Sequence, residues 1–137
     1  MDRGTYATGT QLMRITRAQE LLASANNPLV HLLTSAELAQ ANTRENPAEY
    51  VAGHLAAKGA ATDALDQLLP PGTTIDPLEL ETLDATSGAP TCTVRGRLAA
   101  VLAAHGMKPP LISITNEAGA ALATAVAWAH ATGSDNA

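Results

Sequence analysis

The chain has 137 residues, a formal net charge of -5 and 46% hydrophobic residues, which suits one domain with a buried core. Its eight Lys and Arg residues are too few to indicate nucleic acid or an anionic membrane surface as a partner. The single cysteine, Cys92, excludes an internal disulfide, and no apolar run is long enough to span a bilayer. No signal-peptide pattern is present at the N-terminus. We therefore expect a cytoplasmic protein with one domain over residues 1–132 and a tail over residues 133–137.

The first part of the chain is predicted to form a strand and two helices. Residues 5–10 alternate and carry β-branched side chains, as a short strand does, and residues 12–24 have the apolar spacing of an amphipathic helix. The residues 26–28, Asn-Asn-Pro, predict the end of that helix. Thr34 and Glu37 have the spacing of a capping box, which predicts the start of a second, short helix.

A long helix is predicted to begin at Asn46. Asn46 is a favoured N-cap, Pro47 suits the first helical position, and Glu49 completes a capping box. One face of this helix carries residues that are suited to packing, namely Val51, Leu55, Thr62 and Leu65. His54 and Lys58 are one turn apart on an adjoining face, which we expect to be open for chemistry.

The second half of the chain is predicted to alternate between strands and one helix. Residues 76–83 and 91–94 indicate a β-hairpin, residues 97–105 a helix, and residues 111–115 a strand. Residues 121–128 alternate alanine with larger side chains. Alanine favours a helix, but the strict period of two indicates a strand, and we follow the period. The alanine face of this strand is flat and small, so it can permit close association between copies.

The central stretch N-P-A-E-Y-V-A-G-H-L-A-A-K-G-A-A-T-D-A-L, residues 46–65, resembles the signature helix of the holo-acyl-carrier-protein synthases. In this family of 4'-phosphopantetheinyl transferases the pattern is close to A-G-R-F-A-A-K-E-A. A T-x-x-E-L motif from Thr34, a G-x-P turn at residues 88–90 and an S-I-T motif from Ser113 extend the resemblance over residues 5–128. The resemblance implies an α+β fold, a small antiparallel sheet packed on a long central helix. It also implies a homotrimer with active sites between subunits.

The residues that carry the family's chemistry differ in this chain. The Asp and Glu that hold magnesium in the family correspond to Gln11, which has no charge, and to Gly59, which has no side chain. The family's phosphate-facing Arg and Lys, and its His near the nucleotide, correspond to His54, Asp63 and Asn116. We therefore expect metal-dependent transfer to be lost, with no bound metal and no other cofactor.

Five residues form the candidate site for a substrate. His54 and Asp63 are the predicted catalytic residues, because both side chains can exchange protons. Gln11, Lys58 and Asn116 are predicted to bind substrate by hydrogen bonds or charge. Lys58 is also expected to lower the pKa of His54 by like-charge repulsion. The alternative interpretation is that these are ordinary solvated residues of a helix and a turn.

Three functions stay open at this point. The first is a cofactor-independent acid–base enzyme, a cyclase, dehydratase or isomerase, that acts on a polyketide-like or acyl small molecule, either free or carrier-bound. The second is a non-catalytic module that binds an acyl carrier protein through Arg14 and Arg17, since the resemblance places them on the family's docking helix. The third and least favoured is residual phosphopantetheinyl transfer, which would need magnesium held without either family carboxylate.

Overall fold

The computed structural model describes residues 4–130. In chain order its helices and longer strands are β1 (Thr5–Arg14), α1 (Ile15–Ala23), α2 (Ser35–Ala41), α3 (Pro47–Leu68), β2 (Leu80–Asp84), β3 (Pro90–Val94), α4 (Gly96–Ala104), β4 (Leu111–Glu117) and β5 (Ala120–Ala129). The predicted α+β class is confirmed. The division into a domain over residues 1–132 and a tail stays a prediction, since residues 131–137 lie outside the described part. Within residues 4–130, no helix has the length and apolar character needed to cross a membrane.

The strands form two antiparallel sheets. β1, β5 and β4 make a three-stranded sheet with β5 in the centre, and β2 and β3 make a separate hairpin. β4 and β5 are joined at Ala118 and Gly119, whose φ angles of 54° and 78° are those of a two-residue hairpin turn with left-handed backbone. The predicted strand over residues 121–128 is confirmed, so the period of two outweighed the helical propensity of alanine.

The sheet packs on α3 through small residues. On β5 the alanines point inward and are fully buried; they are Ala121, Ala123, Ala125 and Ala127. α3 meets them with a buried row of its own, Ala56, Ala57, Ala60, Ala61 and Ala64. β1 crosses the helix at Gly9, where a Cβ atom would overlap the carbonyl oxygen of Ala60. The alanine face of β5 is therefore not open for association between copies, as the sequence suggested it could be, because α3 of the same chain covers it.

The opposite face of the three-stranded sheet is exposed and partly apolar. Tyr6, Leu12, Leu111 and Leu122 are 74%, 60%, 64% and 42% exposed, and all belong to β1, β4 or β5. The register places Leu12 opposite Leu122, and Tyr6 opposite the half-buried Trp128. We call this surface the outer sheet face. A large residue that alternates with alanine on β5 has to point there, because side chains of a strand alternate between faces.

Three predicted boundaries are wrong. The first strand continues to Arg14 instead of residue 10, and the first helix begins at Ile15 instead of residue 12. β5 offers ten residues for pairing and holds β1 extended as far as Arg14 opposite Ala120. In the hairpin, residues 77–79 form a short 3-10 turn, so β2 begins only at Leu80.

We predict that Gly9→Ala destabilises the protein by about 3 kcal/mol or more, at the upper end of the usual cost of overpacking. The new methyl group would collide with backbone of α3, which cannot rotate away as a side chain can. Thr8→Ala is the matched control, because Thr8 is exposed on the same strand. Urea unfolding of both variants checks this, and equal stability of the two would contradict the close crossing of β1 and α3.

Candidate functional site

A cavity of about 440 Å³ lies between α1, β1 and α3. Five apolar side chains contribute to its wall, Met13, Leu21, Leu32, Leu55 and Pro77. Its polar wall consists of Gln11, Arg17, Lys58, Thr62 and Asp63, with Gly59 between them. We call this space the α1–α3 cavity. It brings together four of the predicted site residues, Gln11, Lys58, Asp63 and Arg17.

Gln11 and Asp63 form a hydrogen-bonded pair in this cavity. The Gln11 Nε2 donates to Asp63 Oδ2 at 2.5 Å. The Gln11 side chain lies across Gly59, since a Cβ atom at position 59 would come within 3.0 Å of Gln11 Cγ. Gly59 therefore has a steric role here: without a side chain it lets Gln11 rest on α3 and reach Asp63.

Lys58 is buried and fully hydrogen-bonded, which corrects the prediction of an open helix face. Its Nζ donates to Glu37 Oε1 at 2.6 Å and to the carbonyl oxygens of Leu32 and Pro77 at 2.7 and 2.8 Å. An ammonium group has three protons, so none is left for a substrate. Burial lowers the pKa of Lys58 from its usual value, while Glu37 acts in the opposite direction. That Lys58 binds substrate stays a prediction, but its ammonium group is already satisfied by the protein.

Glu37 is the centre of the buried polar network. Its side chain is completely buried, and its Oε1 accepts from the backbone N–H of Thr34, closing the predicted capping box of α2. Its Oε2 accepts from both the N–H and the hydroxyl of Thr82 at 2.6 and 2.8 Å. One carboxylate thus joins α2 and β2, and it binds Lys58 of α3 as well.

His54 continues this network away from the α1–α3 cavity. Its side chain is 3% exposed and stacks on Tyr50 with 3.9 Å between ring centroids. The Nδ1 lies 2.8 Å from Thr82 Oγ1, and the Nε2 lies 3.1 Å from Asp84 Oδ1. Because Thr82 gives its hydroxyl proton to Glu37, its oxygen is an acceptor toward Nδ1. The Asp84 carboxylate is an acceptor toward Nε2, so each ring nitrogen of His54 faces an acceptor.

The pKa of His54 is lowered, as predicted, but the cause differs. Burial is the main reason, because it disfavours the charged imidazolium, and Asp84 and Glu37 oppose it. The predicted cause, repulsion from Lys58, does not account for the shift, since Glu37 pairs with that ammonium. The expectation that His54 stands on an open helix face is also wrong, because Thr82 and Asp84 of β2 pack there.

A second, smaller cavity of about 140 Å³ lies beside His54. His54, Asp84, Tyr50, Glu49 and Asn116 line it, and we call it the Asp84 cavity. The Asn116 Nδ2 donates to Glu49 Oε1 at 3.3 Å, so the predicted substrate-binding amide already has a protein partner.

The two predicted catalytic residues lie in different cavities. His54 and Asp63 are nine residues apart on α3, which turns their side chains to opposite sides of the helix and separates them by about 14 Å along its axis. Each of these cavities therefore contains one of the two. That either residue acts in catalysis stays a prediction.

The two arginines predicted to bind a partner are exposed near the junction of β1 and α1. Arg17 lines the rim of the α1–α3 cavity and forms an ion pair with Glu20 at 3.2 Å, with both side chains well exposed. Arg14 is the last residue of β1 and has no part in the wall of either cavity described above. Their binding of a carrier protein stays a prediction.

Four residues of the network were not recognised as site residues from the sequence, namely Glu37, Tyr50, Thr82 and Asp84. Glu37 was identified only as a helix cap, because the local pattern that reveals a capping box says nothing about a second partner 21 residues away. Asp84 belongs to the predicted hairpin, and no local motif marks it as a partner of His54.

Several solved structures share this architecture. The apo structure of the acyl carrier protein synthase of Chronobacterium ammoniagenes superposes with a TM-score of 0.82 at 24% identity, covering 93% of this chain and 99% of that one. Its complex with coenzyme A gives 0.80 at 24% identity, with 91% and 98% covered. The synthase of Mycobacterium tuberculosis gives 0.70 at 24% identity, with 90% and 96% covered. The chain has the fold of the holo-acyl-carrier-protein synthases. No protein-family model matches its sequence, and neither does any curated protein.

The residues of this synthase-like chain do not fit a magnesium ion. Among residues 4–130 there is no group of three or more His, Cys, Asp or Glu side chains that could hold a metal. In the α1–α3 cavity, Asp63 is the one carboxylate of the wall, and the amide group of Gln11 donates to it. Magnesium prefers several oxygen ligands in octahedral geometry. One carboxylate beside Gly59 does not provide the magnesium site that the resemblance implies for the family.

We predict that lowering the pH from 7.5 to 5.5 reduces the free energy of unfolding, and that His54→Gln weakens this dependence. The unfolded chain takes up a proton on His54 near its ordinary pKa of about 6.5, whereas the folded chain resists it. The stability linked to His54 is therefore complete above that pKa and is lost as the pH falls, by up to about 1.4 kcal/mol per pH unit.

Urea unfolding at both pH values measures this effect. His31→Gln is the control, because His31 is exposed and is absent from the network of Glu37, Thr82 and Asp84. The same loss of stability in wild type and His54→Gln would contradict the assignment of the titration to His54.

Proposed function

We propose that this chain is a metal-independent acid–base enzyme that acts on a polyketide-like or acyl substrate in the α1–α3 cavity. The observation that supports this most directly is the pair formed by Gln11 and Asp63 over Gly59. At the place where the resemblance implies a magnesium ion and a pyrophosphate, this chain has one carboxylate held by one amide. The reactions that suit such a pair, cyclisation, dehydration and isomerisation, need no metal and no coenzyme A.

Asp63 is the proposed general base and acid. It lines the cavity, and Gln11 fixes one carboxylate oxygen, which leaves the other oxygen to accept a substrate proton. Gln11 orients it and offers its own carbonyl oxygen to the substrate. A substrate that covers the apolar wall would displace water from it, which strengthens polar contacts inside the cavity.

His54 with Asp84 is the second proton-exchanging pair of the proposal. Since His54 and Asp63 lie on opposite sides of α3, one site that contains both requires a second copy of the chain. The homotrimer implied by the resemblance, with active sites between subunits, supplies such a copy. The outer sheet face supports this assembly, because its apolar residues are exposed in the single chain. We place the protein in the cytoplasm, consistent with a single cysteine.

We predict that the wild-type protein converts a hydroxylated polyketide-like acyl substrate to a product of equal mass or to one lighter by water, and that Asp63→Asn reduces the rate by 100-fold or more. Asp66→Asn is the matched control, because it removes the same charge from the same helix outside the α1–α3 cavity. Mass-resolved chromatography of a substrate panel, with and without a metal chelator, gives the readout. Equal activity of Asp63→Asn and Asp66→Asn would exclude Asp63 as the base.

A parallel reaction tests whether this chain has phosphopantetheinyl transferase activity. Apo carrier proteins are incubated with this chain, coenzyme A and magnesium, beside an active synthase. We expect a phosphopantetheine mass gain only with the synthase. A gain with this chain would overturn the metal-independent proposal.

A carrier-binding module is the second candidate, and the exposed Arg14 and Arg17 favour it. In that case the chain retains an apo carrier protein in a pull-down but converts no substrate, and charge reversal at both arginines abolishes retention. A carrier-bound acyl substrate would also show this binding, so conversion of the bound acyl group separates the enzyme from the module.

We predict that Leu122→Asp converts the homotrimer to a monomer, because a charge would be buried where the outer sheet faces meet. Light scattering after size exclusion measures the mass, and Thr86→Asp in the turn of the hairpin is the control that keeps the assembly. A monomeric wild-type protein would contradict the trimer without affecting the assignment of Asp63.

A further inference from the structure

We propose that the α1–α3 cavity binds an apolar molecule whose polar end is a hydrogen-bond donor, a hydroxyl or a protonated amine, and that it excludes phosphates and carboxylates. This inference rests on the proposed function, because it names the class of ligand for the same site. It departs from what the resemblance implies, since the ligand of the synthase from Chronobacterium ammoniagenes, coenzyme A, is a polyanion.

The polar wall of the cavity presents acceptors. Asp63 uses one carboxylate oxygen for Gln11, and its Oδ1 has no partner within residues 4–130. The Gln11 amide must turn its N–H₂ toward the carboxylate, so its Oε1 is an acceptor, again without a partner in the described chain. Thr62 gives its hydroxyl proton to the carbonyl oxygen of Lys58 at 2.7 Å, which leaves only lone pairs to face a ligand.

Neither cation of the cavity wall offers a buried, unpaired charge. Lys58 donates its three protons to Glu37 and two carbonyl oxygens. Arg17 lies at the rim beside Glu20, where its side chain is 61% exposed and water screens its charge. The carboxylate of Asp63 has an amide as its partner and no cation. An anionic group entering the cavity would meet this carboxylate without a buried cation to offset it, whereas a donor would complete its hydrogen bonds.

The apolar wall and the volume of the cavity indicate the size and polarity of the rest of the ligand. The five side chains of its apolar wall have no polar contact to offer, and the volume of about 440 Å³ is in the range of small-molecule sites. A saturated chain or ring with one donating end satisfies both parts of the wall. A uniformly polar molecule would leave the apolar part without a partner.

A hydroxyl ligand next to Asp63 also defines the reaction class. Asp63 takes the hydroxyl proton as the oxygen forms a bond to a carbonyl carbon or to the β-carbon of an unsaturated acyl group in the same molecule. The electron pair of the attacked double bond moves to the carbonyl oxygen or the α-carbon, which then receives the proton back from Asp63. The product is a ring of unchanged mass, and the step needs no metal, oxidant or second substrate.

The test uses three probes with the same eight-carbon chain: 1-octanol, octylammonium and octanoate. Binding is measured by calorimetry and by amide chemical shifts of the full-length protein. We expect 1-octanol and octylammonium to bind and to shift residues of the α1–α3 cavity, with octanoate at least tenfold weaker. Asp63→Asn should weaken the binding of octylammonium at least tenfold and reduce the discrimination against octanoate. Asp66→Asn should bind all three probes with the affinities of the wild type.

A second variant removes the other acceptor. Gln11→Leu keeps the bulk over Gly59 but loses both the bond to Asp63 and the amide oxygen, so 1-octanol should bind at least fivefold more weakly. Octanoate that binds as well as the other probes, or no binding of any probe, would overturn the inference. Probe binding requires no turnover. A failure of this test with intact conversion therefore removes the ligand class alone, and binding without conversion removes the enzyme proposal alone.

Discussion

The buried ion pair between Lys58 and Glu37 holds together the parts of the chain that shape both cavities. Lys58 lies on α3 and donates to the carbonyl oxygens of Leu32 and Pro77. These two residues lie in the separate segments that connect α1 to α2 and α3 to β2. Glu37 caps α2 and binds Thr82 of β2. Burying two charges costs free energy, but removing one partner leaves the other unpaired and typically costs about 3–5 kcal/mol. The arrangement is therefore stable only when complete, and it fixes the position of Thr82 and, through it, of His54.

The second constraint is the narrow contact between the sheet and α3. Alanine on both surfaces and Gly9 at the crossing let strand and helix backbones approach closely. Such a contact has no room for large side chains, and the sequence contains no Phe at all. The larger residues of β5 are consequently placed on the outer sheet face. Alanine and larger side chains alternate along β5. This alternation explains both the close packing on α3 and the apolar residues of the outer sheet face.

The proposed chemistry of the α1–α3 cavity depends on two residues, Gln11 and Gly59. In this synthase fold, the positions that the resemblance assigns to metal ligands are Gln11 and Gly59. Neither residue offers a carboxylate, and the absence of a side chain at Gly59 gives Gln11 the space to reach Asp63. The result is a cavity with a negative, acceptor-rich end in place of one that neutralises phosphate, which is why its proposed ligand differs in charge from coenzyme A.

The sequence by itself determined the elements that depend on local rules. Asn46 and Pro47 predicted the start of α3, Thr34 and Glu37 the capping box, and the period of two the strand β5, because caps and periodicity act within a few residues. Only the tertiary structure decided that β1 extends to Arg14, that His54 and Lys58 are buried, and that Gln11 rests on Gly59. Helical spacing shows which residues share a face, but it does not show what packs on that face. Here the covering groups, Glu37 and the hairpin with Thr82 and Asp84, are 21 to 30 residues away along the chain. The face of α3 that carries His54 and Lys58 is therefore buried, although its sequence pattern alone does not indicate this.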